Sequence, residues 1–271
     1  MNVFQGKVAV ITGAGSGIGR QLAVQLAAQG ARLAISDINE SGLQQTVAMC
    51  RAAQSQCEVR SYKLDVSSRE QVFAHAEDVK RDFGSVHYLF NNAGVTLVGT
   101  IEHSSIEEFE WQLGINLWGV IYGVKAFLPI MLAQRAGHIV NISSIFGMIG
   151  FPGQGAYNVS KFGVRGLTEC LWSELEGTGV QATTVHPGGI RTEIGAKARM
   201  CKLADEQEHK MLPLVDRMLI TPPEECAANI LRGVAQGKRK IVTGHKATLV
   251  DWLSRLVPVN YGGFVKRDMG V

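Results

Sequence analysis

Tyr157 and Lys161 stand four residues apart in Ala-Tyr-Asn-Val-Ser-Lys, and Ser144 precedes that Tyr by thirteen. Residues at i and i+4 share one face of a helix, so the spacing predicts the ammonium of Lys161 beside the phenol of Tyr157. A phenol ordinarily ionises near pH ~10. A neighbouring cation favours the phenolate and lowers that value. Phe151-Pro-Gly-Gln-Gly155 ends the preceding loop, which puts Tyr157 in a first helical turn, where the positive end of the dipole acts the same way. A Tyr tuned in this manner can pass a proton to and from an alcohol or carbonyl oxygen. The same pair also describes an ordinary solvated helix face, so its meaning depends on what else the chain carries.

The N-terminal segment supplies that context. Lys7-Val-Ala-Val-Ile-Thr12 is a β-branched apolar run that reads as a buried strand. The turn Gly13-Ala-Gly-Ser-Gly17-Ile-Gly19 follows at once. A helical pattern then runs from Arg20 to Gln29, with Leu22, Ala23, Leu26 and Ala27 as its apolar stripe and Gly30 as its stop. Ala31 to Ser36 is a second strand, closed by Asp37. A glycine turn between strand and helix offers backbone N–H groups and a helix N-terminus to a pyrophosphate. Gly13, Ser16, Gly17, Ile18 and Gly19 are therefore read as cofactor-binding positions of a dinucleotide site. Asp37 can accept both hydroxyls of an adenosine ribose, and its charge repels a 2′-phosphate. With Ser16 and Ile38 flanking that pocket, no cation offsets the charge, so NAD is expected in preference to NADP. An Asp before a helix is also a common cap, and the two roles are compatible.

These features resemble the short-chain dehydrogenase/reductase family, in its compact single-domain subgroup, and further motifs extend the resemblance in order. Asn91-Asn-Ala-Gly94 follows the fourth expected strand, and Asn116 precedes Leu-Trp-Gly119. Val140-Asn-Ile-Ser-Ser144 ends the fifth strand, Tyr157-x-x-x-Lys161 follows, and Pro187-Gly188 closes the sixth with Thr192 just beyond. The match runs from about Lys7 to Thr192.

The resemblance implies roles residue by residue. Tyr157 would be the general acid or base, and Lys161 would lower its pKa and bind the nicotinamide ribose. Ser144 would hold the substrate oxygen, and Asn116 would support a water chain to solvent. Asp65 and Val66 would meet the adenine. Asn91, Asn92, Ala93 and Gly94 would line the cofactor, and Pro187, Gly188, Ile190 and Thr192 would approach the carboxamide end. Ser143 competes with Ser144, and the spacing to Tyr157 favours Ser144, leaving Ser143 as a polar strand-end residue. His186 reads as a strand-end side chain near the cofactor rather than as a catalytic base.

Stepwise alternation of strands and helices fits an α/β fold, a doubly wound (Rossmann) parallel sheet of about seven strands with helices on both faces. Strands are expected near 7–12, 32–36, 58–64, 86–90, 137–143, 180–186 and 239–243. The longest helices are expected at 105–136, broken, and at 155–178. No linker, repeat or low-complexity stretch divides the chain, so residues 1–271 are read as one domain. A net charge of +3 is too small to point to nucleic acid, and none is expected as a partner. The cysteines at 50, 57, 170, 201 and 226 form no metal-like pairs, so no metal is expected and the thiols read as reduced and cytoplasmic. The first strand begins within seven residues, leaving no room for a targeting segment, and no run reaches the length of a membrane span.

Residues 193–223 are read as a flexible apolar lid over the substrate, carrying Ile194, Met200, Leu203, Met211, Leu212, Leu214, Val215, Met218 and Leu219. Met148, Ile149 and Phe151 are expected to face the same pocket. Arg191, Lys197, Arg199 and Lys202 leave open an anionic substrate. Thr221 is expected to cap the helix that begins at Pro222-Pro-Glu-Glu. The tail 246–271 opens on an amphipathic helix with Leu249, Trp252, Leu253 and Leu256 on one side, expected to pack within the protein.

The reading is thus an NAD-dependent oxidoreductase that interconverts a bulky, apolar secondary alcohol and its ketone. A 3-hydroxyacyl thioester or steroid dehydrogenase stands as the alternative within enzymes, and a non-catalytic NAD sensor as the alternative outside them. The family resemblance implies a homodimer or homotetramer, formed through the long central helices.

Overall fold

A computed structural model of the protein describes residues 2–210, 213 and 217–263. Each of the seven strands expected from the sequence is a strand of one parallel sheet. In chain order these are β1 (Val8–Thr12), β2 (Arg32–Asp37), β3 (Val59–Lys63), β4 (Tyr88–Asn91), β6 (Gly137–Ile142), β7 (Val180–Gly188) and β9 (Lys240–Gly244). A short β5 (Leu97–Val98) and β8 (Arg199–Met200) pair separately. The main sheet has the order β3-β2-β1-β4-β6-β7-β9 and is the expected doubly wound sheet. The order reverses direction between β1 and β4, and ligands of such sheets bind outside the carboxyl ends of the strands at this crevice. The glycine turn after β1 and the Asn91-Asn92 corner after β4 both lie there.

Helices cover both faces. On one, α1 (Gly17–Ala28) and α2 (Glu40–Ala53) pack with Ile11, Leu33 and Ile35. On the other, α3 (Arg69–Phe83) joins a long helical stretch made of α4 (Ile106–Leu113), a π-helical turn (Gly114–Trp118) and α5 (Gly119–Gln134). The expected break at 105–136 is thus a π-turn rather than an interruption. By length and composition the stretch Ile106–Gln134 is apolar enough to cross a bilayer, contrary to the expectation that no run reaches that length. Its Val120, Val124, Phe127 and Met131 instead pack with Val79, Phe83, Leu89 and Ile139 over the sheet. α6 (Gly155–Glu174) follows β6 on this face.

The segment after β7 is pinned rather than free. It contains α7 (Glu193–Ala196), β8 and α8 (Glu206–His209). β8 pairs with β5, and the buried Glu208 carboxylate accepts from the backbone N–H of Thr100 and contacts His103 Nδ1 at 2.7 Å. Met211, Leu212, Leu214 and Val215 lie outside the described residues.

Two local expectations fail. Pro222, not Thr221, precedes α9 (Pro223–Ala235), because Thr221 is held in extended backbone pairing with Ile190 and its hydroxyl accepts from His245 N at 2.9 Å. In α10 (Ala247–Leu256), the expected apolar side is turned outwards: Leu249, Trp252 and Leu256 are exposed. The helix seats through Ala247 and Val250 against Ile145, Met148 and Ile149, while Asp251 pairs with Lys240 on β9. Residues 264–271 of the tail lie outside the described residues.

Candidate active site

A single cavity of about 430 Å³ runs along the carboxyl ends of the strands and receives most of the sequence-predicted positions. Its size suits a ligand that is largely enclosed. Gly13, Ser16, Gly17 and Ile18 line one end, together with Asp37, Asp65 and Val66. Asn92, Ala93 and Gly94 form the middle, and Ser144, Tyr157, Lys161, Pro187, Ile190 and Thr192 complete the other end.

The glycine turn has no room for side chains. A Cβ at Gly13 would lie 2.7 Å from the Ala93 backbone, and one at Gly19 would overlap the Gly13 carbonyl. Gly19 therefore presses the start of α1 onto the turn instead of lining the cavity. Asn92 straps the turn from β4, donating through Nδ2 to the carbonyls of Thr12 at 3.0 Å and Gly13 at 3.1 Å. Thr12 Oγ1 accepts from the N–H groups of Asn92 and Ala93 in return. The hydroxyl of Ser16 makes no capping bond, so the first turn of α1 keeps free N–H groups towards the cavity. Close backbone and a helix N-terminus together fit a dinucleotide.

Asp37 accepts from Gly15 N at 2.8 Å and from Asn39 N at 2.9 Å, while Asn39 is the cap of α2. A cation that sequence reasoning missed lies behind this turn. Arg20 donates to the Gly15 carbonyl, to Thr46 Oγ1 at 3.1 Å and to Gln45 Oε1 at 3.0 Å. Its Nε and Nη2 are engaged by the turn and by α2, and Arg20 does not line the cavity. The periodicity of α1 marks Arg20 only as a polar position, so the sequence held no signal for this brace.

At the other end, Tyr157 is the third residue of α6, as its loop predicts. Ser143 and Ser144 separate cleanly. The Ser143 hydroxyl donates to the Lys161 carbonyl at 2.8 Å, whereas Ser144 hydrogen-bonds Tyr157 and accepts from Phe146 N at 3.1 Å. Lys161 is buried, with Nζ donating to the Ile142 carbonyl at 3.0 Å and lying 5.5 Å from the centroid of the Tyr157 ring. Contrary to expectation, the Tyr157 phenol is pushed up to about 12. Burial around its oxygen disfavours the phenolate and outweighs the opposing hydrogen bond from Ser144, although the residue as a whole is only half-buried. Burial likewise pushes Lys161 down to about 8.

Asn116 does not line the cavity. From the π-turn its Oδ1 accepts Val95 N at 2.8 Å and its Nδ2 donates to Val95 O at 2.9 Å, as a neighbouring strand would. It stands close behind the site, since a Cβ at Gly94 would meet Asn116 Oδ1 at 3.4 Å and Lys161 Nζ at 3.6 Å. Asn91 is corrected from a cavity residue to a core one: it is buried and donates to Asn141 Oδ1 at 2.8 Å. Strand alternation sends Asn91 and Asn92 to opposite sides. Gly188 is packed under His245 and Ile145 rather than lining. His186 also lies behind the wall, buried and neutral, with Nδ1 at 2.9 Å from the Ser144 carbonyl and its pKa lowered by burial to about 4. Met148 and Ile149 pack under α10, so of that trio only Phe151 faces the cavity.

Ile194, Ala198, Met218 and Leu219 line the cavity from the 193–223 segment, with Val95, Val98 and Phe146 opposite. Of its basic residues only Lys197 reaches the cavity, paired with Glu193, while Arg199 stacks on Trp111 at 3.9 Å. Gln154, which the motifs did not single out, also lines it; the Thr96 hydroxyl donates to its Oε1 at 3.0 Å.

The chain has relatives among known proteins in both sequence and fold. Residues 7–202 match the family model for short chain dehydrogenases. A Mycobacterium tuberculosis protein named "Putative oxidoreductase SadH" is 46% identical over 265 residues, covering 96% of this chain and 94% of its own. The cyclohexanol dehydrogenase of Acinetobacter sp. is 35% identical, covering 90% of this chain and 93% of its own. A solved short chain dehydrogenase/reductase of Burkholderia phymatum in complex with NAD superposes with a TM-score of 0.86 at 36% identity, over 94% of this chain and 95% of that one.

Proposed function

The chain belongs to the short-chain dehydrogenase family of oxidoreductases, and from that premise we propose that it interconverts an apolar secondary alcohol and its ketone with NAD. The observation that carries this reading is that Ser144, Tyr157 and Lys161 share one cavity with the glycine turn after β1 and with Asp37 at the end of β2. A relative 35% identical is a cyclohexanol dehydrogenase, which supports a secondary alcohol.

The residues divide the work along the cavity. The turn from Gly13 to Gly17 would hold the pyrophosphate by backbone N–H groups, and Asp37 would hold the adenosine ribose. Asp65 and Val66 would border the adenine, and Ile190 and Thr192 the carboxamide. The cofactor would supply or accept the hydride, and the residues around it would manage position and the proton. Ser144 orients the substrate oxygen. Tyr157, kept neutral by burial, gives its proton to that oxygen when a ketone is reduced. Lys161 steadies the phenolate that remains, and Asn116 anchors Val95, in the segment between β4 and β5, beside it. The described part of the 193–223 segment serves as the lid, excluding water with Ile194, Met218 and Leu219.

Oligomerisation uses the face where α6 crosses the π-turn. A Cβ at Gly163 would meet Leu117 at 2.9 Å, and the adjoining Trp118, Val159 and Phe162 are exposed. Such a patch of large apolar side chains suits an interface between copies of this chain.

Nicotinamide absorbance, followed with NAD(H) and NADP(H) over alcohols and ketones from small polyols to cyclohexanol and bulkier rings, tests the reading. Turnover with NAD(H) that rises with apolar bulk is expected. Faster turnover of small polyols, or a preference for NADP(H), would overturn it.

A further inference from the structure

The substrate half of the cavity is largely apolar, with Val95, Val98, Phe151, Met218 and Leu219 on its walls. Gln154 interrupts this surface. It is buried, at 4% exposure, yet borders the cavity. Its Oε1 is occupied by the Thr96 hydroxyl at 3.0 Å. Its Nε2 has no hydrogen-bond partner among the described residues, and it is not one of the sealed-in atoms that lack one. A primary amide carries two donors on that nitrogen. The accessible space they meet is the cavity itself.

Backbone contacts fix the residue in place. Gln154 is the cap of α6, its N–H donates to the Phe151 carbonyl at 3.2 Å, and its backbone bridges to Gly99. With Thr96 holding one end of the amide, the donor end is pre-oriented. Gln154 and Tyr157 are three residues apart, and side chains at that spacing lie about 5–6 Å apart at Cβ. The two polar groups therefore address one ligand at two points, a helical turn apart.

We propose that Gln154 is a specificity residue that donates a hydrogen bond to a second oxygen of the substrate. The class selected is a ketone, or its alcohol, with a carbonyl or ether oxygen on the β or γ carbon and an otherwise apolar body. The inference rests on the oxidoreductase reading above and narrows its substrate. A site built around such a donor penalises a ligand without the acceptor, because the amide loses its water and gains nothing. The reaction is unchanged: hydride reaches the same carbon and Tyr157 supplies the same proton.

The test compares ethyl 3-oxobutanoate with 2-heptanone, which has the same chain length and no second oxygen, in wild-type enzyme and in Gln154→Leu. The intrinsic reactivity of each ketone cancels in the ratio of variant to wild type. A loss of kcat/KM of about tenfold on the oxoester, with 2-heptanone unchanged or improved, is expected. Equal losses on both would assign Gln154 to packing alone and overturn the proposal. Thr96→Val, which frees the amide while leaving it in place, should give a smaller loss in the same direction. Calorimetric titration of both ketones into the complex with oxidised NAD, which has no hydride to give, reads the same donor without turnover. Tighter binding of the oxoester that disappears in Gln154→Leu supports the inference, and equal affinities overturn it. Absence of turnover with both ketones, by contrast, counts against the oxidoreductase substrate reading and not against the amide.

Discussion

The carboxylate of Asp37 accepts the backbone N–H of Gly15 at 2.8 Å, so the acid that ends β2 also braces the glycine turn after β1. A single side chain thereby joins the shape of the phosphate-binding turn to the charge of the ribose pocket. The two contributions can be separated by substitution. Asp37→Ala removes both, and its KM for NAD should rise about ten- to a hundredfold, the worth of a charge-assisted hydrogen bond. Asp37→Asn keeps an acceptor for Gly15 N while removing the charge and the second acceptor, which Asn39 N uses. Steady-state kinetics with both cofactors should show Asp37→Asn gaining more relative use of NADP than it loses in NAD. Unchanged NAD preference in both variants would contradict the assignment.

The phenol of Tyr157, pushed up to about 12, is an acid at neutral pH. Ketone reduction uses that protonated form, whereas alcohol oxidation needs the phenolate. Initial rates of oxidation should therefore climb between about pH 7 and pH 10, and rates of reduction should not. Lys161, pushed down to about 8, sheds charge in the same range, which holds the climb below a decade per pH unit. A flat oxidation profile would show that the proton goes elsewhere.

His75 is buried between Tyr62 and Phe127 with neither ring nitrogen bonded, and burial lowers its pKa to about 4. The folded chain holds this ring neutral, while the unfolded chain protonates it near the ordinary value of 6.5. Its contribution to stability is complete above that value and is lost as pH falls towards 4. His138 and His186 are lowered in the same direction, also by burial, and steepen the loss. Thermal melts should show Tm falling through this window. His75→Phe should recover about 1–3 kcal/mol at its acid end and little at pH 8. Parallel melting profiles for the two proteins would contradict the account.

Trp118→Glu or Phe162→Glu should drive the proposed assembly towards monomers. An aromatic anchor in an interface is worth about 2 kcal/mol or more, roughly thirtyfold in the dissociation constant. Sedimentation velocity would read the mass directly, and an unaltered mass in both variants would assign the interface elsewhere.

The sheet was legible because most of its strands are short β-branched apolar runs between turn residues: the expected 7–12 and 137–143 are observed as 8–12 and 137–142. The candidate site was legible where motif positions sit at strand ends or in the first turn of a helix, as with Asp37 and Ser144, and with Tyr157 in α6. It was less so where facing decides the role. Asn91 and Asn92 are identical in type and adjacent, and only the pleat sends one into the core and the other onto the glycine turn. α10 misled for the same reason: its apolar stripe was plain, but Ala247, Val250 and the Asp251–Lys240 pair decide which side is buried. The phenol of Tyr157 failed differently. Spacing reveals a neighbouring cation, whereas desolvation depends on everything packed around the oxygen, which no spacing records.

Tyr157→Phe tests the central claim most directly, because it removes the ionisable hydroxyl and leaves the ring that meets Phe146 edge-on at 6.2 Å. Turnover of cyclohexanol with NAD should fall about a hundred- to ten-thousandfold, the usual contribution of a general acid or base. Binding of NADH, measured by its fluorescence, should stay within a fewfold of wild type. Turnover that persists within about tenfold, with binding intact, would contradict proton transfer by Tyr157.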